Sequence, residues 1–180
     1  MLLSIQQRYI LDLLRQLKCL RREQIDHLVR RQFPRRDGRE LAPGAVEAML
    51  RQLRYCTNDV LLEDGFVRLL SAKPDTRCME AVDVMLELTD GRARGISKGR
   101  EPPALLRFAL EGERLRLFTV ADLDGTLPQT LSDMPRQRLE RIVWISGSGK
   151  ADGQLVLPPK HFFAARNEDG SHRFYSGEEP

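Results

Sequence analysis

Long hydrophobic runs are missing from this chain. Its uninterrupted apolar stretches last only a few residues, far short of the roughly 20 that cross a bilayer, so no membrane-spanning helix is predicted. Met1 leads into an amphipathic segment and not into the pattern of a secretory leader, which makes the cytoplasm the expected location. Cysteine is scarce. Cys19, Cys56 and Cys78 are odd in number, widely spaced and form no C-x-x-C pair, which argues against a disulfide framework and a zinc knuckle and predicts reduced, buried thiols. His27, His161 and His172 lack an H-E-x-x-H pattern or close cysteine partners, and no G-x-S-x-G elbow occurs, so no metal site, cofactor or catalytic set is predicted. Repeats at solenoid spacing and low-complexity tracts are absent as well, which disfavours a repeat protein.

What is present describes a soluble globular protein. The 180 residues suffice for one full domain or two small ones, and 41% apolar with 31% charged content lies well away from the disordered regime. The net charge of +3 is unevenly spread: residues 1–72 hold thirteen Lys and Arg against nine Asp and Glu. That basic excess is compatible with a polyanionic partner, although solvated arginine faces are common.

Periodicity predicts three helices and a hairpin in the first segment. Ser4 and Gln7 have the spacing of a capping box, followed by a stripe of Ile5, Tyr9, Ile10, Leu13, Leu14 and Leu17. A second helix is expected from Arg22 to Gln32, with Ile25, Leu28 and Val29 on one face and Arg22, Asp26, Arg30 and Arg31 wet. A third is expected from Pro43, as first helical residue, to Tyr55. Val60–Glu63 and Phe66–Leu70 read as strands joined by Asp64-Gly65, a pair suited to a type I′ turn. Ser71–Asp75 reads as a linker and Asp75 as the cap of a helix from Thr76 to about Thr89, placing a boundary near Ala72. Beyond it come a loop punctuated by Gly91, Gly95 and Gly99, strands at Leu105–Leu110 and Leu115–Val120, and a short helix around Gln129–Glu140. Further strands are expected at Ile142–Ile145, Leu155–Leu157, Phe162–Arg166 and Arg173–Tyr175, with a fraying end at Gly177–Pro180. The fold class is α+β.

In its Leu20–Ile25 segment, its Gly44–Tyr55 helix and its Val60–Leu70 hairpin, the amino-terminal part resembles the winged helix-turn-helix DNA-binding family. More loosely, the order of elements is similar to the replication-relaxation proteins of plasmids and integrative elements, in which a winged helix precedes a small domain of nuclease-like outline. The first resemblance implies a winged helix over 1–72 whose third helix enters the major groove beside the hairpin. Arg51, Gln52, Arg54 and Tyr55 are then the candidates for base contact, because Arg forks onto guanine and Gln onto adenine. Arg35, Arg36 and Arg39 in the preceding loop, and Arg68 on the hairpin, are the candidates for phosphate. Each would serve equally well as part of an ordinary solvated face. Glu47 on the same helix would repel phosphate unless paired, and the connection before Pro43 is longer than the 3 to 4 residues of a simple helix-turn-helix. Residues 73–180 are expected to form an α+β interaction or dimerisation domain, a degenerate nuclease-like fold if the looser resemblance holds.

Two motifs invite enzymatic readings. Asp122-Leu123-Asp124-Gly125-Thr126 matches the first motif of haloacid-dehalogenase-like phosphatases, but the remaining chain is too short for that domain and a turn after a strand fits better. Gly147-Ser148-Gly149-Lys150 imitates a phosphate loop, with Trp144 and Ala151 where Gly and Ser or Thr belong. Glu111 and Glu113 do not complete a nuclease metal site. The leading expectation is a non-enzymatic duplex-DNA-binding protein, a transcriptional regulator or accessory replication factor of a mobile element, with a homodimer or protein partner at its carboxy-terminal domain. The alternatives are a protein adaptor or antitoxin-like component, and last a metal-dependent nuclease or phosphatase.

Overall fold

The computed structural model describes residues 2–34, 41–124, 140–146 and 160–176. Among these the chain is α+β, with four helices and two separate sheets. It divides into two units, Met1–Met79 and Glu80–Pro180. None of the described helices is long and apolar enough to cross a membrane.

The first unit runs α1 (Ile5–Leu17), β1 (Cys19–Arg21), α2 (Arg22–Gln32), α3 (Ala45–Cys56), β2 (Val60–Leu62) and β3 (Phe66–Leu69). The capping box forms: Gln7 N–H donates to Ser4 Oγ at 3.1 Å and Ser4 N–H to Gln7 Oε1 at 2.9 Å, satisfying two donors at the helix start. Ile10, Leu14 and Leu17 of α1, Ile25, Leu28 and Val29 of α2, and Leu50 and Leu53 of α3 make the core. β1 lies between α1 and α2 and pairs antiparallel with β3, which also pairs with β2, so the sheet order is β1-β3-β2. Three residues with no alternation leave β1 unannounced in the sequence; only pairing with β3 makes it a strand.

Two local expectations change. Pro43 is not the first helical residue. Ala45 N–H donates to Ala42 O at 3.1 Å, and Gly44 has φ 75° and ψ −2°, so Ala42–Ala45 is a type II turn with Pro43 at its second position. At the hairpin Gly65 has φ 77° while Asp64 keeps a negative φ, which excludes a type I′ turn, since that needs both residues positive.

The division between units falls within α4 (Thr76–Thr89), later than the boundary suggested by the Lys73-Pro74-Asp75 segment. Asp75 Oδ1 accepts from Cys78 N–H at 3.0 Å, the expected cap. The first turn belongs with the first unit because Gln24 Nε2 donates to Met79 O at 2.6 Å and Cys19 Sγ lies 3.7 Å from Met79 Sδ.

The second unit is built on a six-stranded mixed sheet in chain order: β4 (Ala93–Lys98), β5 (Ala104–Leu110), β6 (Arg116–Asp122), β7 (Glu140–Ser146), β8 (His161–Arg166) and β9 (His172–Ser176). β6, β7 and β8 run parallel, and the remaining neighbours antiparallel. β4 occupies part of the segment expected to be a loop. Its glycine, Gly95, reads as punctuation, yet it accompanies a bulge: the register with β5 slips between Arg94 and Ser97. One face of the sheet centres on Ala121, Ile142, Trp144 and Phe163. His172 stands on the opposite face, against α4, where Glu87 and Glu80 lie 2.9 and 3.7 Å from its ring nitrogens. The expected helix near Gln129, the strand at Leu155–Leu157 and the Gly147–Lys150 motif lie outside the described residues, whereas Glu140 opens β7.

Candidate nucleic-acid interface

The orientation of α3 is decided by its apolar stripe. Val46, Leu50 and Leu53 are buried at 1% exposure or less, and burying each stabilises by about 1.5–3 kcal/mol, well above the 0–1 kcal/mol typical of a surface ion pair. Helical spacing then turns Arg51, Arg54 and Tyr55 outward: the Arg51 side chain is 70% exposed and Tyr55 85%. With Arg22, Glu47 and Leu62 of β2 they line an open depression of about 310 Å³, so the helix flank and the hairpin share one surface.

The acidic residue on this flank is paired. Glu47 Oε1 accepts from Arg22 Nη1 at 2.9 Å and lies 3.5 Å from Arg51 Nε. Arg22, expected to be wet, also donates through Nη2 to Glu63 O at 2.8 Å, and its backbone N–H reaches Gly65 O at 3.1 Å. One arginine thus joins α2, α3 and the hairpin. Sequence reasoning missed it because β1, which sets the start of α2 beside the hairpin, was itself invisible. Arg30 of α2 donates to Leu41 O, just before the turn that starts α3.

Two candidates are otherwise engaged. Gln52 Oε1 accepts from Gln7 Nε2 at 2.8 Å, so the oxygen-and-nitrogen fork that pairs with adenine is already half occupied by α1. Arg68 is only 20% exposed; its Nε donates to Glu63 Oε1 at 2.6 Å and its Nη1 to Ala72 O at 2.8 Å. Its guanidinium is engaged with the hairpin and the following segment. Arg35, Arg36 and Arg39 lie outside the described residues.

The second unit carries its own polar groups. Asp122 Oδ1 accepts from Asp124 N–H at 3.1 Å, the side-chain turn that Asp favours after a strand. Glu111 pairs loosely with Arg94 at 3.7 Å on the exposed edge. Thr119 Oγ1 donates to Glu140 Oε1, both buried, and half-buried Arg107 lies with its Nε 3.5 Å from the same oxygen, a trio that no spacing in the sequence announces. His172 is likewise buried. Desolvation pushes its pKa down, but the Glu80 and Glu87 carboxylates outweigh this and hold it above the ordinary imidazole value. No group of three His, Cys, Asp or Glu among the described residues could hold a metal ion. Cys19 and Cys78 are buried thiols, Cys56 is half-buried, and burial pushes the Cys19 thiol up, away from reactive thiolate.

No protein-family model, curated protein or solved structure matches this chain.

Proposed function

We propose that the first unit is a winged helix-turn-helix that binds duplex DNA, with α3 in the major groove and the β2–β3 hairpin beside it on backbone or minor groove. The observation that carries this reading is the outward flank of α3, where Arg51, Arg54 and Tyr55 meet solvent next to the hairpin in a single depression. The element order and the β1-β3-β2 sheet support it, since they bring a hairpin and a helix of mixed cationic and aromatic surface together. Arg51 and Arg54 serve base edges and phosphates, Tyr55 packs on sugar or base, and Arg35, Arg36 and Arg39 add phosphate contacts. Gln52 and Arg68 leave the contact set, for the reasons given by their partners.

In this reading the protein performs no chemistry. It acts as a transcriptional regulator or an accessory replication factor of a mobile element, and the second unit serves dimerisation or a protein partner. The six-stranded mixed sheet is what supports reading the second unit as a degenerate nuclease-like fold.

Fluorescence anisotropy of a labelled mixed-sequence duplex, titrated at several salt concentrations, tests the reading. If three to five arginines each neutralise a phosphate, log affinity falls against log salt with a slope of roughly −3 to −5. The Arg51→Ala, Arg54→Ala double variant weakens binding at least about tenfold if each contact is worth a typical charge-assisted hydrogen bond. Salt-insensitive or absent binding overturns the proposal, and nuclease-resistant capture of one defined protein partner in its place would favour an adaptor.

A further inference from the structure

We infer that Glu47 is a positioning residue that aims Arg51 at guanine, giving α3 a guanine preference at one base position. The inference rests on the duplex-DNA reading and adds a specificity that this reading does not require.

An exposed arginine is a poor reader of bases by itself, because fixing its long side chain costs rotamer entropy that one base contact must offset. Arg51 is 70% exposed, yet its Nε faces Glu47 Oε1 at 3.5 Å. The carboxylate is in turn held from behind. Arg22 Nη1 donates to that same oxygen at 2.9 Å, and Arg22 Nη2 donates to Glu63 O at 2.8 Å. A chain of charge-assisted contacts therefore runs from the hairpin turn through Arg22 and Glu47 to the Nε side of Arg51. What remains unspent is the Nη1 and Nη2 end of the Arg51 fork, whose planar pair of donors matches O6 and N7 of guanine.

The charge arithmetic gives the arrangement its own signature. Paired as it is, Glu47 still offsets one cationic charge on this flank, so it lowers affinity for any duplex while raising discrimination at one base. Removing it should move those two quantities in opposite directions. A carboxylate that merely supported the fold would, on removal, weaken binding to every sequence alike.

Selection of bound duplexes from a random library, followed by sequencing, reads the preference for the full-length wild type, Arg51→Ala, Glu47→Ala and Glu47→Gln. Thermal melts establish that each variant is folded. The wild type should favour guanine at one position by roughly 10- to 100-fold, the range of a good bidentate pair. Arg51→Ala should flatten that position. Glu47→Ala should reduce the preference to under about threefold, as expected when the fork loses its anchor, while binding a mixed-sequence duplex at least as tightly as the wild type. Glu47→Gln, which keeps an acceptor oxygen, should retain part of the preference. An Arg51-dependent guanine preference that survives intact in Glu47→Ala, or a wild type with no guanine preference, overturns this inference and leaves duplex binding standing. Absence of salt-dependent duplex binding by the wild type removes both.

Discussion

Arg22 and Glu47 meet at 2.9 Å, so the first turn of α2 is joined to the first turn of α3 through one carboxylate oxygen. Because the same guanidinium reaches Glu63 O, the spacing of the hairpin from α3 is fixed by a side chain outside both.

Replacing Arg22 with Met keeps the aliphatic stem and removes both polar contacts. The two side chains are about a third exposed, at 32% and 30%, which places the ion pair at the low end of its range. With the charged hydrogen bond to Glu63 O included, the loss should be about 1–2 kcal/mol. Urea denaturation followed by far-UV ellipticity measures it, and an unchanged midpoint would deny the bridge any structural role.

Gln52→Ala should separate structure from recognition. Its oxygen is committed to Gln7, so the substitution should cost about 0.5–1.5 kcal/mol of stability. Duplex affinity should stay within about twofold, since no base contact is lost. A fall as large as that of Arg51→Ala would return Gln52 to the reading set.

Gly44→Ala tests the turn that launches α3. At φ 75° an L side chain is strained by about 1–2 kcal/mol, although nothing lies within 4 Å of the added carbon. The melting temperature should drop by several degrees on the scale of a domain this size. No change would mean that the turn adopts another geometry at little cost.

The His172 cluster predicts an alkaline loss of stability. Its folded-state pKa is raised above the unfolded value near 6.5, with the Glu80 and Glu87 carboxylates overcoming desolvation. The charged imidazole therefore contributes fully below about pH 6.5, and the contribution disappears as pH rises through the elevated folded value. Melts between pH 5.5 and about 9 should show this limb, and His172→Gln should abolish it. A wild-type profile that is flat or improves across that window contradicts the assignment.

Much of the secondary structure was legible because it obeys local rules. Ser4 and Gln7 announce the start of α1, and the Arg22–Gln32 bounds of α2 coincide with the structure, since an apolar stripe and a closing Phe33-Pro34 are enough to mark a helix. β1 and β4 were not legible. One is three residues long and exists only through a partner distant in sequence, and the other is bulged against its neighbouring strand, so its glycine masks the pairing. The site divides along the same line. Exposure of Arg51, Arg54 and Tyr55 follows from helical period, whereas the engagement of Gln52 and Arg68, and the bridging by Arg22, depend on contacts between elements that periodicity does not encode.

Trp144 is the sole tryptophan of the chain, and it lies fully enclosed on the central strand β7. Indole emission therefore watches one unit only. A red shift on denaturation dates the collapse of the large sheet, while circular dichroism sums both units, and subtracting one trace from the other isolates the melting of the helical unit without any added label.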